Sequence, residues 1–116
     1  MPRLSTPCVY LITNLVNGKL YVGKTKYPRL RWRQHLTSAQ APHPRMVVCR
    51  AIKKHGVVNF SFEVLEVLET DADAFLAEKK WIQHYNSIDH TKGYNLEGGG
   101  LGGKIPMFDP LGVVHD

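Results

Sequence analysis

Cysteine is nearly absent from this chain of 116 residues: only Cys8 and Cys49 occur, far apart. They form neither a disulfide framework nor the close pair that a thiolate metal site needs. Both lie in apolar surroundings, so reduced core residues of a cytosolic protein are expected. No apolar run approaches the ~18–20 residues that cross a bilayer, so no membrane span is expected. The opening MPRLSTPCVYLITN lacks a charged segment followed by a long apolar core, and no signal peptide is expected. Internal repeats are missing. No Ser–His or Cys–His pair stands at a spacing that supports a covalent intermediate. The run Gly98-Gly99-Gly100-Leu101-Gly102-Gly103 has no Lys-Ser or Lys-Thr at Walker spacing, which excludes a phosphate loop and leaves a flexible linker or tail.

What is present is one domain's worth of chain, 43% hydrophobic, with fifteen lysines and arginines against ten acids. The net charge of +5 matters less than its placement. Lys24, Lys26, Arg29, Arg31, Arg33, Arg45, Arg50, Lys53 and Lys54 fall in one stretch, and Glu63, Glu66, Glu69, Asp71 and Asp73 follow it. A basic half suits a polyanion such as DNA or RNA. The plainer alternative is a solvated basic surface.

Residues 8–13 and 20–24 read as strands, joined through Asn17-Gly18, a pair that tolerates the positive φ of a type I′ turn. That turn puts Tyr10 and Tyr21 on one face, about four residue steps or ~13 Å apart. A wider loop of the same parity brings them closer. Pro28 opens a helix over 28–40, with Trp32, Leu36 and Ala39 on one side and Arg31 and His35 at the border of that stripe. APHP at 41–44 breaks the chain. A second helix is expected from 44 or 45 to 54, stopped by Gly56. FSFEVLEVL at 60–68 is a third strand with Phe60, Phe62 and Val64 on one face. Thr70 or Asp71 caps a third helix ending near Asn86. The expectation is an α/β (α+β) fold of order ββααβα. It has a small three-stranded, mainly antiparallel sheet flanked by helices, with residues 1–97 as the domain and 98–116 as a Gly-rich tail or linker remnant.

Polar residues then gather where a core would not want them. Tyr10, Tyr21, Arg31 and His35 sit on the first two strands and the first helix, the set expected where a phosphate is held and a nucleophile activated. Glu78 lies within the apolar arc of Phe75, Trp81, Ile82 and Tyr85, so its carboxylate must be paired, hydrogen-bonded or bound to a cation. A structural ion pair, with Arg31 as partner, is one alternative. Phosphodiester hydrolysis is the other. It needs a carboxylate for a hard divalent ion, a guanidinium for the phosphate and a base for water. A phenol titrates near ~10, so a tyrosine base needs its phenolate stabilised.

Val9-Tyr10, TNLVNGKLYVGKT, RLRWRQH, the acid in AEKKWI and the late GYN, in that order and over roughly 7–97, resemble the GIY-YIG nuclease domain. The likeness is nearest to the catalytic domain of phage and intron homing endonucleases. The resemblance implies a metal-dependent endonuclease that hydrolyses DNA, nicking or cutting both strands. It implies Tyr10 as general base or water-positioning residue, and Tyr21 as the residue orienting nucleophile or phosphate. Arg31 would stabilise developing charge, His35 would assist Tyr10, and Glu78 would bind one divalent ion per site, Mg²⁺ or Mn²⁺. Gly23 would let the backbone pass close to the site, and Asn95 would hydrogen-bond behind it. His43 resembles a further histidine of the homing branch. Lys24, Lys26, Arg33, Arg45, Arg50, Lys53, Lys54 and His55 are the expected DNA contacts. The expected partner is double-stranded DNA, met by a chain monomeric in isolation, located in the cytoplasm and touching no membrane. One site per chain means that a double-strand break requires a dimer on DNA or sequential nicking. Cys8 stands where the family's first half-motif has glycine, and Val9 and Val22 replace isoleucines; the tyrosines, arginine and glutamate all remain. A repair-type or structure-selective nuclease of the family is one alternative function, and a nucleic-acid-binding module without catalysis is another.

Overall fold

The computed structural model describes residues 6–96; the glycine-rich segment expected at 98–116 lies outside the described residues. The elements are β1 (Cys8–Asn14), β2 (Leu20–Thr25), α1 (Pro28–Ala39), α2 (Val47–His55), a short 3-10 turn (Val57–Asn59), β3 (Phe60–Val67) and α3 (Asp71–Tyr85). The strands pair antiparallel in the order β2-β1-β3, so the expected ββααβα order stands.

The central strand β1 is buried on both faces, as its apolar run CVYLITN requires. Tyr10 and Ile12 look toward α1 and α2, where Val48, Cys49, Ile52 and Phe60 complete one core. Val9, Leu11 and Val22 look the other way, onto Ala77 and Ile82 of α3. Each buried aliphatic side chain stabilises the fold by ~1.5–3 kcal/mol relative to exposure. The sheet therefore separates two helical layers.

The hairpin differs from the expected type I′ turn. The last pair is Thr13 with Leu20, and only Gly18 of the turn has positive φ, at 79°. Two asparagines explain the wider loop. Asn14 Oδ1 accepts from Val16 N and Asn17 Oδ1 from Lys19 N, each at 2.9 Å, so side chains satisfy main-chain donors that a tight turn would have paired. Leu15 N donates to Asn59 O at 2.8 Å, which ties the loop to the turn before β3. The parity is unchanged, and the tyrosines share a face as expected.

Strand β3 departs from simple alternation. Its register with β1 shifts between Val9 and Tyr10, so that Tyr10 pairs with Val64 and Val9 with Glu66. This bulge brings Glu66 onto the α3 face beside Leu65, where its carboxylate accepts from Trp81 Nε1 at 2.9 Å. Helix α2 begins at Val47 rather than 44 or 45, so Arg45 lies on the preceding loop. Thr70 caps α3, its Oγ1 accepting from Asp73 N at 3.0 Å, and Asn86 closes the helix in the left-handed region at φ 53°.

Candidate active site

Tyr10 and Tyr21 are diagonal neighbours across β1 and β2, because Tyr10 faces Gly23 and Tyr21 faces Ile12. Their ring centroids are 6.2 Å apart. His35 of α1 completes a triangle, 5.8 Å from the Tyr10 ring and 5.6 Å from that of Tyr21. Phe62 packs on Tyr10 at 5.0 Å and stacks on Trp32 at 5.1 Å, holding the tyrosine from β3.

Gly23 has a packing reason. A Cβ there would overlap the Tyr10 ring at Cζ and its hydroxyl. The glycine therefore does more than bring backbone near the site: it vacates the space in which the Tyr10 phenol lies.

His35 is the main correction to the sequence reading. It is fully buried, not at the border of the helix stripe. The Tyr10 hydroxyl and His35 Nε2 are 2.8 Å apart, and Cys49 of α2 lies behind the ring, its Sγ 3.7 Å from Nδ1. Burial first, and the Arg31 charge second, hold His35 down at about 3, so the ring is neutral at physiological pH. Burial also pushes the Cys49 thiol up to about 11, against a smaller lowering effect of Arg31. The contact with Cys49 was missed by sequence reasoning. No local pattern signals it, because it arises from the packing of α1 against α2.

Arg31 sits one turn before His35, half-buried. Its guanidinium donates to Gln34 Oε1 at 3.2 Å and meets Met46 Sδ at 3.8 Å. Tyr10 is fully buried while Tyr21 is half-buried, so of the two phenols Tyr21 is the one that reaches the surface. Glu78 is half-buried on α3, one turn from both Ala74 and Ile82 on the stripe facing β1 and β2. It thus rises from the layer opposite His35. Asn95 lies at the outer edge of β2: its Oδ1 accepts from Val22 N at 2.9 Å and from Ser87 Oγ at 2.8 Å, and its Nδ2 donates to Val22 O at 2.9 Å.

The remaining expected residues are scattered. His43 and Arg45 are exposed on the loop between α1 and α2, and His55 packs near Phe60 at the end of α2. Arg50 Nε donates to Pro44 O at 2.8 Å and Lys53 Nζ to Ala41 O at 2.9 Å, so these two cations also staple that loop. Lys26 pairs with Asp71 at 3.4 Å. Lys24 is half-buried, and Arg33 and Lys54 are exposed. Cys8 and Cys49 are free thiols in the core.

Among the described residues no three His, Cys, Asp or Glu side chains cluster as a metal cage. One half-buried carboxylate, that of Glu78, is compatible with a hard divalent ion that keeps several waters and takes one or two carboxylates together with phosphate. Among those residues no helix is long and apolar enough to cross a membrane.

Residues 6–95 match the model of the GIY-YIG catalytic domain. The chain is 36% identical over 108 residues to segE, a proposed endonuclease of Enterobacteria phage T4, covering 93% of this chain and 49% of segE. It is 33% identical over 90 residues to intron-associated endonuclease 1 of the same phage, covering 76% of this chain and 36% of that protein. The chain thus spans about half the length of these curated relatives or less. Among solved structures, a mutant catalytic domain of the intron endonuclease I-TevI superposes with TM-score 0.70 at 29% identity, covering 81% of this chain and 96% of that one.

Proposed function

Because the chain belongs to the GIY-YIG catalytic-domain family, we propose that it hydrolyses DNA phosphodiester bonds as a metal-dependent endonuclease of the phage homing type. The observation that carries this reading is the packed triangle of Tyr10, Tyr21 and His35 with Arg31 one turn away. Two phenols, a neutral imidazole and a fixed guanidinium are an economical set for moving a proton beside a phosphate.

Each residue then has a task. Tyr21, reaching the surface, meets and orients the attacking water. Tyr10 stands behind it as the base-side phenol, hydrogen-bonded to His35. Arg31 offers its planar fork to the phosphate as negative charge grows. Glu78 would hold the divalent ion, Mg²⁺ or Mn²⁺, together with water and phosphate oxygens. That ion, when bound, lends positive charge to the phosphate and the leaving oxygen. Asn95 keeps β2 in register beneath Tyr21. Arg33, Arg45, Lys54 and their neighbours supply the sequence-independent attraction to the backbone of double-stranded DNA. The phage-encoded relatives support a cytoplasmic location in the cell that carries that DNA. One such site per chain cuts one strand at a time, so a double-strand break takes two chains or two events.

The test is nicking of supercoiled plasmid with Mg²⁺ or Mn²⁺. Glu78→Gln and Arg31→Ala are each expected to lower the rate by about 10²–10³-fold while DNA binding persists. Wild-type protein that binds DNA but never cuts it, with either metal, would sink the enzyme reading and leave a binding module.

A further inference from the structure

Cys49 has no task in the mechanism above, yet its sulfur touches His35 twice. Sγ lies 3.7 Å from Nδ1 and 3.6 Å from the His35 main-chain oxygen, and both side chains are fully buried. The two contacted atoms differ in kind. The carbonyl oxygen can only accept, and the thiol donates to it. The thiol keeps that proton at neutral pH, because burial pushes it up to about 11. With its one hydrogen so engaged, sulfur offers Nδ1 only lone pairs. The arrangement that suits all of these atoms has the hydrogen of the ring on Nδ1, facing a sulfur lone pair. The ring is neutral and has a single N–H, so Nε2 is left as an acceptor, 2.8 Å from the Tyr10 hydroxyl.

We infer that Cys49 is a positioning residue that fixes His35 as the Nδ1–H tautomer and thereby makes Tyr10 the donor in the Tyr10–His35 hydrogen bond. The direction of that bond matters. A phenol that donates gains electron density on oxygen and becomes a better acceptor for a further proton. In the opposite tautomer Nε2–H would donate to Tyr10 and make its oxygen less basic. The hydroxyl lies over Gly23, in the space that the missing Cβ leaves. Cys49 thus sets the polarity of the Tyr10 phenol from behind the imidazole, touching neither phenol nor substrate. Only the consequence for cleavage rests on the proposed roles of Tyr10 and His35; the tautomer itself does not.

The experiment uses the full chain with isotope-labelled histidine. Two-bond proton–nitrogen spectra report which ring nitrogen carries hydrogen, and His35→Gln assigns the signals. Wild type is expected to show Nδ1–H. Cys49→Val, which keeps the bulk and removes both interactions, is expected to admit the Nε2–H form. It should also lower kcat for plasmid nicking about tenfold with KM unchanged. Cys49→Ser keeps a donor and an acceptor, and should hold the tautomer and stay within about threefold of the wild-type rate. A wild-type ring in the Nε2–H form overturns the inference, even if Cys49→Val fails to fold. An Nδ1–H tautomer unchanged in folded Cys49→Val overturns it as well. A tautomer that switches while cleavage is unchanged supports control by Cys49 and overturns the catalytic role proposed for the Tyr10–His35 pair.

Discussion

A buried imidazole beside a guanidinium carries a pH signature. The folded chain withholds a proton from His35 until about 3, whereas the ring ordinarily titrates at 6.5. Between those values the unfolded chain binds more protons, so stability falls as pH drops. Above 6.5 both states are neutral and His35 adds no slope. If the whole shift is realised the loss approaches roughly 4–5 kcal/mol at the acid end. Denaturant unfolding of wild type and His35→Gln across about pH 4 to 7 checks it: wild type should lose more stability over the window. Parallel curves would mean that the imidazole does not stay neutral. The sequence placed His35 near the tyrosines but not at this depth. A wheel drawn on α1 alone shows one apolar stripe. The second wall of the His35 pocket is Cys49 of α2, and tertiary packing is invisible to one helix's periodicity.

At the level of elements, the parity of the hairpin was legible and its span was not. Side chains alternate with a period of two, so any loop change that preserves parity leaves Tyr10 and Tyr21 on one face. The distance between them depended on Asn14 and Asn17 taking main-chain donors, a choice that Asn-Gly alone does not reveal. The bulge in β3 was equally hidden, since FSFEVLEVL alternates well on paper. The edge of β2 was also out of reach. Leu20 bridges Gly93 in parallel, and Asn95 pairs both main-chain groups of Val22. Asn95→Ala would leave those two groups and the Ser87 hydroxyl without their partner. We expect a loss of about 2–4 kcal/mol and faster amide exchange at Val22. Denaturation and hydrogen exchange measure both, and unchanged protection at Val22 would show that the latch does not hold the strand.

For the whole molecule, the sheet divides the proposed site: the layer of α1 and α2 carries His35, Arg31 and most of the cations, while α3 carries Glu78. The basic stretch was plain in the sequence. Which charges are neutralised was not, because that depends on neighbours distant in the chain. Lys26 faces Asp71, whereas Arg33 and Lys54 stand exposed on helices. If the chain binds DNA through this surface, Arg33→Ala or Lys54→Ala should each reduce the salt slope of binding by about one counterion. Lys26→Ala should reduce it by less. Binding titrations at several salt concentrations decide it, and equal slopes for all three variants would remove the distinction.

The latch on β2 also bears on when the site can exist. The strand that carries Tyr21 is made early in synthesis, but the residue that seals its edge is Asn95. A ribosome must therefore deliver nearly the whole domain before that strand has its last neighbour. On this geometry a nascent chain has β2 unsealed until Gly93 and Asn95 arrive, so the cleavage proposed above would begin only with the end of the domain.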